Sequence, residues 1–169
     1  MYSPPVEDPK IASWEYRREL LQERIRAVDP AVVCLQEVSP LSFEEDFEFM
    51  AELGFDGMEM FKKGRFRPAT FWKTSQCQLA APAVHKDRTL CTAFVVPDND
   101  VDNSNETTLS SSTPKKHWYV LNCHLQAGPQ APRRVRQINE GIRSVLTLAR
   151  KLKGTSMHDK QMEKDSSCC

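Results

Sequence analysis

The 169-residue chain has no surplus of charge of either sign: 23 lysines and arginines stand against 23 aspartates and glutamates. A domain that grips nucleic acid over its whole surface is usually basic, so any polyanion contact has to be local. No apolar run approaches the ~20 residues that a membrane helix needs, and the amino terminus lacks the basic-then-apolar pattern of a signal peptide. The six cysteines, Cys34, Cys77, Cys91, Cys123, Cys168 and Cys169, contain neither a C-x-x-C pair nor metal-ligand spacing, which argues against a zinc module or a redox motif. Four of them sit in apolar, strand-like runs and read as small buried hydrophobes. No internal repeat is visible. These absences lead to the expectation of one soluble domain in the cytoplasm or another reducing intracellular compartment.

What is present begins with a proline-rich lead-in over residues 1–12. Asp8 before Pro9, or Ser13 a turn later, could cap the helix that follows. Ile11, Trp14, Leu21, Ile25 and Val28 recur at helical spacing and make one apolar stripe. The helix has to end before Pro30, because a residue preceding proline avoids helical backbone. Ala31 to Leu35 is then apolar enough to read as a strand buried on both faces, and it delivers Glu37 at its carboxyl end, where α/β proteins usually bind ligands. Ser42-Phe43-Glu44-Glu45 has the form of a capping box. Phe43, Phe47 and Met50 mark one face of its helix, and Gly54 stops it. Glu44, Glu45, Asp46 and Glu48 diverge around that helix and read as acidic residues complementing its dipole.

From Phe55 the texture changes to short β-like runs: Phe55 to Phe61, Ala69 to Lys73, Cys77 to Val84 and Thr89 to Val96. Lys62, Lys63, Arg65 and Arg67, interleaved with Phe61 and Phe66, form a dense basic and aromatic patch. It reads either as a loop joining two strands or as a track for a nucleic-acid backbone. Residues 98–116, rich in Asp, Asn, Ser and Thr, read as a flexible loop. From His117 to Leu125, Trp118, Val120, Asn122 and His124 alternate with Tyr119, Leu121, Cys123 and Leu125, as in a strand with two distinct faces. A turn through Gly128 to Pro132 leads to a helix with a stripe of Ile138, Ile142, Val145, Leu148 and Leu152, ended by Gly154. Residues 155–169 read as a disordered polar tail. Its Cys168-Cys169 pair could accept lipids, but a loose tail is the preferred reading.

Three of these segments together carry a resemblance. Ser13-Trp14-Glu15-Tyr16-Arg17-Arg18 followed by Val32-Val33-Cys34-Leu35-Gln36-Glu37-Val38 resembles the first block of the endonuclease/exonuclease/phosphatase superfamily, in its deadenylase and nocturnin branch. Ala69-Thr70-Phe71-Trp72-Lys73 is similar to a strand of that family. Asn122-Cys123-His124-Leu125, with Pro129, Pro132 and Arg134-x-x-Gln137 behind it, resembles the branch's Asn-Thr-His-Leu block. The resemblance implies an α+β sandwich in which two mixed β-sheets pack face to face between outer helices. It also implies Mg²⁺-dependent hydrolysis of a phosphoester in RNA or a nucleotide. By carry-over, Glu37 is the Mg²⁺ ligand and His124 contacts the scissile phosphate; Asn122 of the same block, and Lys63 and Arg65 of the basic patch, are the further candidates for binding substrate.

The resemblance covers about residues 13–154. The family's initial strand with its asparagine, and its later Asp-x-Asn and Ser-Asp-His blocks, have no counterpart in residues 1–12 or 155–169. The expectation is therefore a partial domain with doubtful activity, since the unmatched blocks hold the groups that deprotonate the attacking water. The alternative is a non-catalytic module that binds nucleic acid, or that binds a protein through an exposed sheet edge. Gln126, where nocturnin-like members often carry a basic residue, weakens that sub-branch.

Overall fold

The computed structural model describes residues 8–60, 67–95 and 116–166, with side chains as far as residue 153. Both candidate caps are used. Asp8 accepts from the Lys10 amide at the head of the single-turn helix α1 (Pro9–Ala12), and the Ser13 hydroxyl accepts from the Tyr16 amide at the head of α2 (Trp14–Val28). Asp29 closes α2 in left-handed backbone, φ 48°. The chain then forms β1 (Val32–Val38), the short helices α3 (Phe43–Asp46) and α4 (Phe49–Glu52), and β2 (Gly57–Met60). Next come β3 (Arg67–Trp72), β4 (Gln78–Lys86), β5 (Thr89–Val95), β6 (His117–Cys123) and α5 (Ala131–Ser166).

The strands make two three-stranded sheets, ordered β1-β3-β2 and β4-β5-β6. The α+β, two-sheet architecture is as expected, but every described pairing is antiparallel where mixed sheets were expected. The first sheet packs its outer face on α2, α3 and α4, where Ile25, Phe43, Phe49, Met50, Phe55 and Phe71 form a core with Val33, Leu35 and Phe47 against it. The second packs its outer face on α5 through Cys91, Ala93, Tyr119, Leu121, Val145 and Leu148. Between the sheets Trp72 meets Phe94 edge-on at 5.4 Å, with Cys77 buried beside them and Val32 and Val120 at the margin. β3, β5 and β6 thus spend their alternate residues on a helix layer and on the facing sheet, as a period of two requires, while β1 and β4 carry register shifts that interrupt it.

Several expectations are corrected. Among the described residues β1 is an edge strand, and the Ala31–Leu35 run is not buried on both faces: Cys34 is exposed. Cys77 and Cys91 are buried, and burial pushes the Cys91 thiol up to about 11. The capping box does not form, because the Ser42 hydroxyl donates to Asp46 at 2.6 Å instead of capping the amides. The apolar stripes are open in places: Ile11 of α1, Val28 at the end of α2 and Ile142 within α5 are exposed. α5 runs through Gly154 to Ser166; one helical glycine costs only about 1 kcal/mol, and no proline follows it in the helix. The basic residues Lys62, Lys63 and Arg65, the loop over 98–115, and Cys168 and Cys169 lie outside the described residues. No described helix is long and apolar enough to cross a membrane.

Candidate functional site

Strict alternation along β1 would put Glu37 on the same face as Val33 and Leu35, inside the helix-covered core. A β-bulge prevents this. Leu35 pairs with Ala69, but the next pair is Val38 with Arg67, so β1 carries one residue more than β3 across that interval. The β3 residue inside the interval is Pro68, which has no amide hydrogen to donate to a ladder and which within sheets belongs at edges and bulges. The extra residue lets Val38 take the core position at 3% exposure and turns Glu37 outward in left-handed backbone, φ 59°. Bulges of this kind re-aim single side chains at the rims of sheets.

Across the gap, β6 ends at Cys123, and the His124 amide donates to the Arg88 carbonyl in the β4–β5 turn at 2.9 Å. That turn is itself fixed. Asp87 sits at φ 44°, its carbonyl accepts from Arg67 Nη1 at 3.3 Å, and its carboxylate accepts from Gln137 Nε2 at 2.7 Å. Gln137 is fully buried and its other amide atom, Oε1, accepts from the Gln126 amide at 2.9 Å. A buried amide with each atom satisfied is rigid, since breaking either bond strands a desolvated polar group.

The consequence is that the two residues singled out from sequence meet. His124 Nε2 lies 3.2 Å from Glu37 Oε1, with the imidazole mostly covered (22% exposed) and the carboxylate mostly open (66%). Asn122 stands behind them, 3% exposed. Its Nδ2 donates to the carbonyls of Ala69 (2.9 Å) and Leu35 (3.1 Å), and its Oδ1 accepts from Gln36 Nε2 at 2.8 Å. That side chain faces the other sheet, away from the open rim where Glu37 is exposed. Arg67, the described member of the basic patch, opens β3 next to the bulge.

Asp87 and the Arg88 carbonyl were not singled out from the sequence, and Gln36 and Gln137 were noted only as parts of motifs. The signals that point to them are weak: a proline inside a strand, and an Asp-Arg pair between two β runs. A second histidine–carboxylate contact, His85 Nε2 to Glu59 Oε1 at 2.8 Å, joins β4 to β2 on the opposite side of the sandwich. Among the described residues no three His, Cys, Asp or Glu side chains cluster as a metal-binding group.

Two curated proteins match part of this chain. The CCR4-Not complex 3'-5'-exoribonuclease subunit Ccr4 of Emericella nidulans is 39% identical over 57 residues, which is 33% of this chain and 8% of that protein. The protein of the same name from Kluyveromyces lactis is 54% identical over 33 residues, 20% of this chain and 4% of its own length. The chain therefore spans only a small part of the curated relatives it matches. No protein-family model matches it. The similarity is to a short stretch of these exoribonuclease subunits.

Proposed function

We propose that the rim formed by Glu37 and His124 is a phosphate-handling site of nuclease type, acting on a phosphoester of RNA or a nucleotide. The observation that carries this reading is the 3.2 Å approach of the two residues from different sheets. The partial similarity to Ccr4 exoribonucleases supports RNA as the substrate class. Glu37 fits Mg²⁺ as one ligand of an open site: it is an exposed hard-oxygen donor, and Mg²⁺ commonly takes one or two carboxylates and fills its octahedron with water and substrate phosphate. The described residues do not form a closed metal cage. When bound there, the ion would neutralise charge on a phosphoryl oxygen.

The chain's own contribution is positioning and hydrogen bonding. His124 presents Nε2 at the rim, and as an N–H donor there it would stabilise negative charge on a phosphate oxygen. Its backbone is held by the Arg88 carbonyl, so it would not have to reorganise to do so. Arg67, paired with Val38 beside the bulge, would add a positive charge that favours an anionic substrate. Lys63 and Arg65 precede it in sequence and would add positive charge for a nucleic-acid backbone.

The test is to incubate the purified chain with oligoadenylate and with small nucleotides, with and without Mg²⁺. We expect Mg²⁺-dependent cleavage that falls at least about a hundredfold in Glu37→Ala and in His124→Ala, the usual scale for losing one electrostatic stabiliser. Cleavage unchanged in both variants would overturn the reading. A binding-only reading keeps His124 and the basic patch that ends at Arg67 for phosphate contact without hydrolysis. Salt-dependent RNA binding with no cleavage at any Mg²⁺ concentration would favour it. Under that reading the β1 and β6 edges offer a protein partner a place to add a strand.

A further inference from the structure

Both polar atoms of the Asn122 side chain are held by groups of the protein itself. One planar amide reaches from β6 to two neighbouring strands of the other sheet: Nδ2 to the Leu35 carbonyl of β1 and the Ala69 carbonyl of β3, with Thr70 Oγ1 at 3.4 Å, and Oδ1 to the Gln36 side chain. Leu35 and Ala69 are paired with each other, and theirs is the last regular rung before the bulge. Asn122 therefore grips the first sheet at the place where its register changes. Two residues beyond Leu35 comes Glu37; two residues beyond Asn122 comes His124.

We infer that Asn122 is a positioning residue, the cross-sheet tie that sets the offset between β1 and β6 and thereby holds Glu37 and His124 in contact; it binds no substrate itself. The inference rests on reading Glu37 and His124 as the functional pair. The physical reason is one of scale. A strand advances about 3.3 Å per residue, so a slip of one position between the sheets is as large as the contact it would have to preserve. The centre of the inter-sheet layer is made by apolar contacts such as Trp72 with Phe94, which are non-directional and resist sliding weakly. Apart from the pair itself, the other described polar contacts between the sheets, His85 with Glu59 and Arg67 with the Asp87 carbonyl, do not join β1 to β6. Three well-directed bonds at one buried amide supply the directional constraint.

The experiment reads the coupling between Glu37 and His124 in the full chain, without metal or substrate. The His124 ring ¹H and ¹³C signals are recorded in wild type, Glu37→Gln, Asn122→Asp and the double variant. Asn122→Asp keeps the shape and the acceptor for Gln36 but removes both donated bonds. We expect Glu37→Gln to move the His124 ring signals clearly in the wild-type background and only by a small fraction of that in the Asn122→Asp background. Leu148→Ala, which loosens the α5 side without touching the amide, should leave the response at its wild-type size.

An equal response in the wild-type and Asn122→Asp backgrounds would overturn the inference. So would loss of the response in Leu148→Ala, which would mark general loosening, or no response in wild type. If Asn122→Asp does not fold, Gln36→Ala takes its place. That residue is exposed and its loss removes one bond to the amide; a reduced response supports the tie and an unchanged one overturns it. Because no cleavage is measured, failure of the proposed hydrolysis and failure of this inference are separate results.

Discussion

Glu37 sits in backbone that a non-glycine residue adopts at a cost of about 1 kcal/mol or more, because its Cβ crowds the following carbonyl. Strain of this kind persists where the surrounding structure fixes it, and at this position the bulge opposite Pro68 does so. Glycine would relieve it. We expect Glu37→Gly to melt no lower than wild type while losing any Mg²⁺-dependent activity, checked by thermal denaturation beside the cleavage assay. A clear drop in melting temperature would mean that the Glu37 side chain stabilises the fold instead of straining it. A second residue-scale effect lies at Asp56, whose carboxyl is held below its ordinary range by hydrogen bonds from the Thr74 side chain and amide. The native state thus prefers the ionised form. This stabilisation is complete above the unfolded-state value and is lost as pH falls through the lower native one. Replacing Thr74 with alanine should raise the Asp56 titration midpoint, read from its side-chain carbonyl signal by NMR.

At the scale of elements, β2 is the place where a small residue is required. Gly57 pairs with Trp72, and a Cβ at Gly57 would lie 2.1 Å from the indole ring, itself only 5% exposed. The ring cannot move outward without leaving its contact with Phe94. Gly57→Ala should therefore destabilise by about 1 to 3 kcal/mol, the usual range for overpacking a filled core. A shift of the denaturant midpoint at constant slope checks it. Much about the elements was legible: the caps at Asp8 and Ser13, the stop before Pro30, the two-faced alternation of His117–Cys123 and the β5 run all form as the pattern predicts. The capping box at Ser42 was misread because Asp46 sits one turn on and captures the hydroxyl first. The apolar run Ala31–Leu35 was misread for a different reason. Composition reports how apolar a strand is, but not whether it stands at the centre or the edge of its sheet.

At the scale of the whole molecule, β3 and β5 are the central strands, paired on both sides and covered by helices and by each other's sheet. β1 and β6 are edges on the side that carries Glu37 and His124, and β2 and β4 are edges on the other. Protection should follow this order. Hydrogen exchange of the native chain is expected to be slowest at β3 and β5 amides such as Phe71 and Ala93, and faster at β1 and β6, because opening an edge breaks fewer contacts. Uniform protection across all six strands would contradict the arrangement. The candidate site thus lies on an edge, where a bulge and a cross-sheet amide hold it instead of a surrounding sheet.

The sequence by itself determined most of the elements, because periodicity and capping residues are properties of neighbours along the chain, and it singled out Glu37 and His124 only through the resemblance of the segments that hold them. Only the tertiary structure decided that Glu37 faces the rim, that Asn122 faces inward to tie the sheets, and that Gln137 holds the turn behind His124. The first depends on Pro68 lying opposite in another strand, and the others on which desolvated carbonyls and amides the packed layers leave in need of a partner. No pattern within one segment encodes those conditions.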